Sequence, residues 1–237
     1  LNAKGWDITD PLEYAELDAA RSKFAHPHQW KFALDEALGA KGKVQKLINP
    51  AVPDDQVGEI ANATPSVVEK AIKLAAKGQK AWGSKAPVDR AAALRKAADL
   101  YEAHAAELFA LASREAGKSL LDGVAEVREA VDFLRFYANE AERLGDQDEA
   151  RGVIACISPW NFPLAIFSGQ VLACLAAGNA VLAKPADQTP LIAARAVELM
   201  HQAGVPQNAL QLLPGLGGTV GSALTATADV DGVCFTG

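Results

Sequence analysis

Val153-Ile154-Ala155-Cys156-Ile157-Ser158-Pro159-Trp160-Asn161-Phe162-Pro163 is the stretch that decides the fold. Its first five residues are a short apolar run, the pattern of a buried strand. Two prolines then fix a turn, and Leu164–Ala177 continues with a helical pattern. The alternation persists downstream: strand at Ala180–Ala183, helix at Pro190–Ala203, strand at Ala209–Leu213, short helix at Thr219–Thr225, strand at Gly232–Phe235. Strands separated by helices of this length imply parallel βαβ units with right-handed crossovers. The expected fold class is α/β, with N-terminal helices followed by the first part of a doubly wound parallel sheet, incomplete.

Upstream, residues 1–48 read as an irregular, weakly helical linker or arm containing the loop-like His26-Pro27-His28. Ile48-Asn49-Pro50 and Val57-Gly58-Glu59-Ile60 read as a hairpin across Pro53-Asp54-Asp55. Thr64-Pro65-Ser66 is a helix start, with Thr as N-cap and Pro in the first helical position. Val68, Ala71, Ile72, Ala75 and Ala76 supply its apolar stripe. A second helix begins near Pro87, with Ala91, Leu94, Ala98 and Tyr101 inward. A third ends near Gly117, a C-cap glycine. A fourth spans about 119–143, with Val124, Val127, Val131, Leu134 and Tyr137 inward. A polar loop, Gly145-Asp146-Gln147-Asp148-Glu149, follows. The domain reading is an arm at 1–48 and a nucleotide-binding unit from 49 to 237.

Composition excludes several classes of partner. The chain has 237 residues, 50% hydrophobic and 22% charged, with a formal net charge of −6. The basic footprint of a nucleic-acid binder is missing. No apolar run reaches the ~18 residues that span a bilayer, and no signal-peptide pattern opens the chain. The start lacks an initiator Met, which suggests an internal segment of a longer protein. Three cysteines, Cys156, Cys174 and Cys234, form no CxxC pair. An odd count without that spacing argues against a disulfide framework or a zinc site, so no metal is expected. A reducing cytoplasmic setting fits, and each cysteine reads as a small buried hydrophobe.

In a doubly wound sheet, ligands bind beyond the carboxyl ends of the strands. That rule selects Ser158–Pro163, Lys184–Thr189, Pro214–Gly221 and Thr236–Gly237. Each has two readings. Gly215-Leu216-Gly217-Gly218-Thr219-Val220-Gly221 lets backbone approach a phosphate or ribose, but its spacing departs from G-x-G-x-x-G, and a tight ligand-free turn explains it as well. Lys184 and Asp187 suit ribose hydroxyls, or are a surface lysine and an acid at a helix start. Asn161 is an amide donor able to stabilise an oxyanion in a dry site, or the cap of the next helix. Gly117-Lys118-Ser119 is rejected as a P-loop end, because Ala112 occupies the first glycine position and a helix precedes it.

The combination carries further than its parts. Pro159–Pro163, Gly178-Asn179, Lys184-Pro185-Ala186 with Gln188-Thr189-Pro190, Ala203-Gly204-Val205-Pro206, Leu213-Pro214-Gly215 and Phe235-Thr236-Gly237 resemble the aldehyde dehydrogenase superfamily in order and spacing, over about 49–237. Arg114–Lys118, Ala125–Phe133 and Cys156–Phe167 resemble the L-glutamate γ-semialdehyde (1-pyrroline-5-carboxylate) dehydrogenase half of bifunctional proline utilization proteins. Asn2–Asp10 resembles the stretch that joins the two halves of such proteins.

The resemblance implies a Rossmann-like NAD-binding domain and NAD as cofactor. Asn161 would donate to the thiohemiacetal oxyanion, and Phe162 would line the aldehyde pocket. Ile157, Ser158 and Trp160 would contact the cofactor, and Lys184 and Asp187 would hold its adenosine ribose, where the family more often has Glu than Asp187. Gly217 and Gly221 would lie against the adenine side, Thr236 and Gly237 near the nicotinamide, and Glu126 near the substrate. The family's Ser-led helix start, general-base Glu and nucleophilic Cys would follow Gly237, and Cys234 within its apolar strand would be no substitute. The implied reaction is oxidation of L-glutamate γ-semialdehyde to glutamate in proline catabolism, by a longer homo-oligomeric parent, with these 237 residues inactive alone. The rival readings are another aldehyde dehydrogenase, such as one for succinate semialdehyde, and a non-catalytic cofactor-binding module.

Overall fold

The computed structural model describes residues 2–39, 42–144 and 149–237. Asp10 opens the first element. Its side chain accepts from Leu12 N at 2.8 Å, and Pro11 takes the first helical position of α1 (Pro11–Ser22). Strands β1 (Trp30–Phe32) and β2 (Val44–Ile48) also fall within the first 48 residues. That stretch is thus more regular than its pattern suggests. The reason is visible in α1, which buries only Leu17 and so shows almost no apolar stripe. Its order comes from polar and aromatic anchors instead. Trp6 meets Phe109 edge-on with centroids 5.1 Å apart, and Trp30 Nε1 donates to Glu107 Oε1 at 3.0 Å. Strand β3 (Gln56–Ala61) completes a small sheet of order β1-β3-β2, and the expected hairpin pairs β2 antiparallel to β3.

Thr64 caps α2 (Pro65–Gly83) as its chemistry predicts, accepting from Val67 N at 3.2 Å. Helices α3 (Pro87–Ala103), α4 (Ala105–Ala116) and α5 (Leu120–Leu144) follow. Gly117, at φ +68°, ends α4; its N–H donates to Ser113 O and that of Lys118 to Ala112 O. This is the left-handed turn that a glycine permits. The polar loop expected at Gly145–Glu149 lies, except for Glu149, outside the described residues.

The second sheet contains β4 (Val153–Ile157), β5 (Ala180–Lys184), β6 (Leu210–Leu212) and β7 (Gly232–Phe235), with α6 (Ala165–Ala176) and α7 (Pro190–Ala203) as crossovers. All of its pairs are parallel, in the order β6-β5-β4-β7. The chain steps outward from β4 to β6, then returns to the other side of β4. The short helix expected at Thr219–Thr225 begins earlier, as a π-helical turn at Gly217–Gly221 leading into α8 (Ser222–Thr225). One sheet face, with Ile154, Cys156, Val181 and Ala183, packs in a single core with α3 to α7. The other, with Val153, Ala155 and Leu182, packs with residues of α2 and α8. No helix among the described residues is long and apolar enough to cross a membrane.

Candidate cofactor and active site

The strand order reverses between β4 and β7, and a crevice opens beyond their carboxyl ends at such a reversal. Thr236 N donates to Ile157 O at 3.0 Å, and Ser158 N to Lys184 O at 3.2 Å. Ile157, Ser158, Lys184 and Thr236 therefore converge at one edge, with Gly237 next in the chain. The Ser158 hydroxyl is buried and has no hydrogen-bond partner among the described residues.

Gln170 of α6 ties this junction together. With its amide oxygen toward Thr236, it accepts from Thr236 Oγ1 at 2.6 Å and Thr236 N at 3.0 Å, and its nitrogen donates to Ile157 O at 3.2 Å. Sequence reasoning missed this residue. Its signal was a lone amide in an otherwise apolar helix, where a buried amide must find partners.

The turn after β4 resolves one of the open alternatives. Leu164 N and Ala165 N, at the start of α6, donate to Glu126 Oε2 at 3.1 and 2.8 Å. Glu126 reaches in from α5 and is held by Lys118 Nζ, 2.9 Å from Oε1. The helix start thus has its acceptor from another element. Asn161 does not cap it, and its exposed amide makes no hydrogen bond among the described residues. Glu126 itself is only 1% exposed, a buried brace behind the turn. Trp160 and Phe162 are exposed, and Lys118 Nζ sits 4.3 Å from the centroid of the Phe162 ring.

Glu115 does the same for α7. Its two oxygens accept from Leu191 N at 2.7 Å and Ile192 N at 2.9 Å. Burial pushes its carboxyl up to about 8, against those two backbone donors, which pull it down. Both crossover helices of the sheet thus begin on a glutamate borrowed from the helical layer. The first N–H groups of a helix have no acceptor within it, and each carboxyl supplies one from outside.

Lys184 is 3% exposed, which removes the surface-lysine reading. Its Nζ donates to Pro185 O at 2.8 Å and Asp187 Oδ1 at 3.1 Å. Gln45 Nε2 donates to Asp187 O at 2.8 Å and fixes the loop from the small sheet. Gly221 lies against this lysine: a Cβ there would meet Lys184 Cδ at 3.8 Å, whereas space is open around Gly217 and Gly218. Gly221 is thus the glycine of this segment that approaches Lys184. The buried Thr189 hydroxyl, also without a hydrogen-bond partner among the described residues, was not singled out from the sequence.

The cysteines form a group that sequence spacing did not show. Cys156 Sγ is 3.8 Å from Cys174 Sγ, and Cys156 is the register partner of Cys234. The neighbouring Cys156 thiol pulls the Cys234 thiol down to about 6, while Cys156, beside both other sulfurs, is itself pushed up. All three lie in β4, α6 and β7 rather than on the loops beyond the strands.

The aldehyde dehydrogenase family profile matches residues 38–237. The chain belongs to that family. This aldehyde dehydrogenase chain is 46% identical over 239 residues to the bifunctional protein PutA of Klebsiella aerogenes, covering 100% of the chain and 18% of that relative. It is 37% identical over 204 residues to the 1-pyrroline-5-carboxylate dehydrogenase of Bacillus subtilis, covering 80% of the chain and 40% of the relative. Among solved structures, a Thermus 1-pyrroline-5-carboxylate dehydrogenase with bound NAD superposes with a TM-score of 0.92 at 28% identity, over 98% of this chain and 49% of that one. The chain thus spans well under two thirds of these relatives.

Proposed function

We propose that these residues form the cofactor side and half of the active site of an NAD-dependent dehydrogenase that oxidises L-glutamate γ-semialdehyde to glutamate in proline catabolism. The observation that carries this reading is the free Asn161 amide, released from capping because Glu126 takes that role. A donor held on a fixed turn and committed to no protein acceptor is the arrangement that stabilises developing negative charge on oxygen.

The polar groups at the strand ends fit NAD. The buried Ser158 hydroxyl has no hydrogen-bond partner among the described residues, Lys184 and Asp187 pair beside Gly221, and Thr236 is held at the reversal of strand order. In this reading Lys184 and Asp187 hold the ribose, Ile157, Ser158 and Trp160 line the path of the cofactor, and Gly217 and Gly221 allow its approach. Thr236 and Gly237 lie toward the nicotinamide. NAD, when bound, supplies the hydride acceptor. Phe162, braced by Lys118, walls the aldehyde side and excludes water, and Glu126 acts through Lys118 and the turn rather than by contact. Residues 1–48 are an arm whose strands β1 and β2 pair with β3 of the unit formed by 49–237, within a longer cytoplasmic homo-oligomer.

The cysteines sit inside strands and a helix. These 237 residues therefore bind cofactor without turning over. The test is titration of the chain with NAD, followed by quenching of Trp160, with a single-turnover assay on the semialdehyde alongside. Saturable quenching, weakened at least tenfold in Lys184→Met, together with no NADH burst, is the expected result. A burst from the isolated chain, or no binding at millimolar NAD, overturns the reading.

A further inference from the structure

We propose that Cys234, Cys156 and Cys174 form a peroxide-responsive thiol site in which Cys234 is oxidised and Cys156 resolves it to an intrachain Cys156–Cys234 disulfide. Three observations carry it. Cys156 and Cys234 are register partners on adjacent parallel strands, whose spacing of about 4.8 Å falls inside the Cα separation a disulfide accepts. Cys156 Sγ already lies 3.8 Å from Cys174 Sγ, so the central sulfur has neighbours on two elements. Cys234 and Cys174 are only partly buried, while Cys156 is enclosed. The access needed by a small oxidant and the shelter needed by a resolving thiol are thus divided between neighbours. The low thiol of Cys234 adds the nucleophilic form at neutral pH.

The chemistry balances with a hydroperoxide as oxidant. The Cys234 thiolate attacks one peroxide oxygen; an S–O bond forms, the O–O bond breaks, and the departing hydroxide takes a proton to become water. Cys234 is then a sulfenic acid and the peroxide has been reduced. Cys156 sulfur attacks Cys234 sulfur, an S–S bond forms, the S–O bond breaks, and the Cys156 proton leaves with the hydroxyl as a second water. The bond would join β4 to β7 one residue before Ile157 and two before Thr236, coupling oxidant to the geometry of the cofactor crevice.

The experiment treats the 237-residue chain with hydrogen peroxide, counts free thiols after denaturation, and maps linked peptides by mass spectrometry. The count should fall from three to one, with a Cys156–Cys234 peptide that dithiothreitol reverses. Cys174→Ser should form the same link at an unchanged rate. Cys234→Ser should lose thiols at least tenfold more slowly. Cys156→Ala should stop at a Cys234 sulfenic acid that dimedone traps. Circular dichroism of each variant establishes that it is folded. Survival of all three thiols, links only between separate chains, or unchanged thiol loss in Cys234→Ser would overturn the proposal.

Discussion

At the scale of single residues, the most informative groups are buried polar ones whose partners lie far away in sequence. Gln170 joins Thr236 and Ile157 across the reversal of strand order. Replacing it with Leu keeps the volume but removes the acceptor of the Thr236 hydroxyl and one of two donors to Ile157 O, so Gln170→Leu should cost about 1 kcal/mol, read as a lowered urea midpoint with unchanged slope. Glu115 gives a pH signature. Its folded carboxyl, raised by burial to about 8, binds a proton more tightly than an unfolded glutamate. Its contribution to stability is therefore complete below about pH 4.5, the unfolded range, and is lost as pH rises through about 8. Wild type should lose about 1.4 kcal/mol per pH unit across that window relative to Glu115→Gln. A stability difference between the two that stays flat from pH 5 to 9 contradicts this.

Elements show how far the sequence could be read. The strands at Val153–Ile157 and Gly232–Phe235 and the helix at Pro190–Ala203 follow from apolar runs and proline position alone. Signals of this kind are local. Thr64 and Gly117 likewise act within a turn of their own helix. Helix α1 escaped because its stripe is one leucine, and the segments flanking it are anchored, through Trp6 and Trp30, on Phe109 and Glu107 of a later helix. The cysteine group escaped for a related reason. Sequence separation hides a contact that strand order creates, since β7 returns beside β4. The role of Asn161 was undecided until the acceptor for α6 was found on α5, 38 residues away from Leu164. At this scale, Glu126→Ala should fray the start of α6 and leave Lys118 without its carboxylate. Removing one partner of a buried pair costs about 3–5 kcal/mol. The double variant Lys118→Met with Glu126→Leu should recover part of that loss, because the two residues share one interaction. Additive losses in the double variant would place the stabilisation elsewhere.

For the whole molecule, the question is whether the helical layer and the parallel sheet are separate bodies. Three kinds of contact join them. Glu115 and Glu126 give the helical layer's carboxylates to the first turns of α7 and α6. Trp82 Nε1, from fully buried Trp82 of α2, donates to Leu175 O in α6 at 2.9 Å. One continuous apolar core runs from Leu17, Trp30 and Tyr101 to Val181 and Leu210. Unfolding the sheet would expose acidic groups on α4 and α5 that have no other donor of equal number, and unfolding the helices would uncap both crossovers. Each half therefore loses stability when the other melts, which is the condition for a single cooperative transition. Urea denaturation followed by far-ultraviolet circular dichroism and by tryptophan fluorescence should give coincident curves, since Trp6, Trp30 and Trp82 report on the helical layer and Trp160 on the sheet's turn. A Trp160-only variant should unfold at lower urea, because three packed tryptophans are lost, but its fluorescence and circular dichroism curves should still coincide. If its fluorescence changed at lower urea than the helical signal, the loop that carries Asn161 would be a separately melting unit. The fixed donor geometry required for oxyanion stabilisation would then have to come from bound cofactor rather than from the fold.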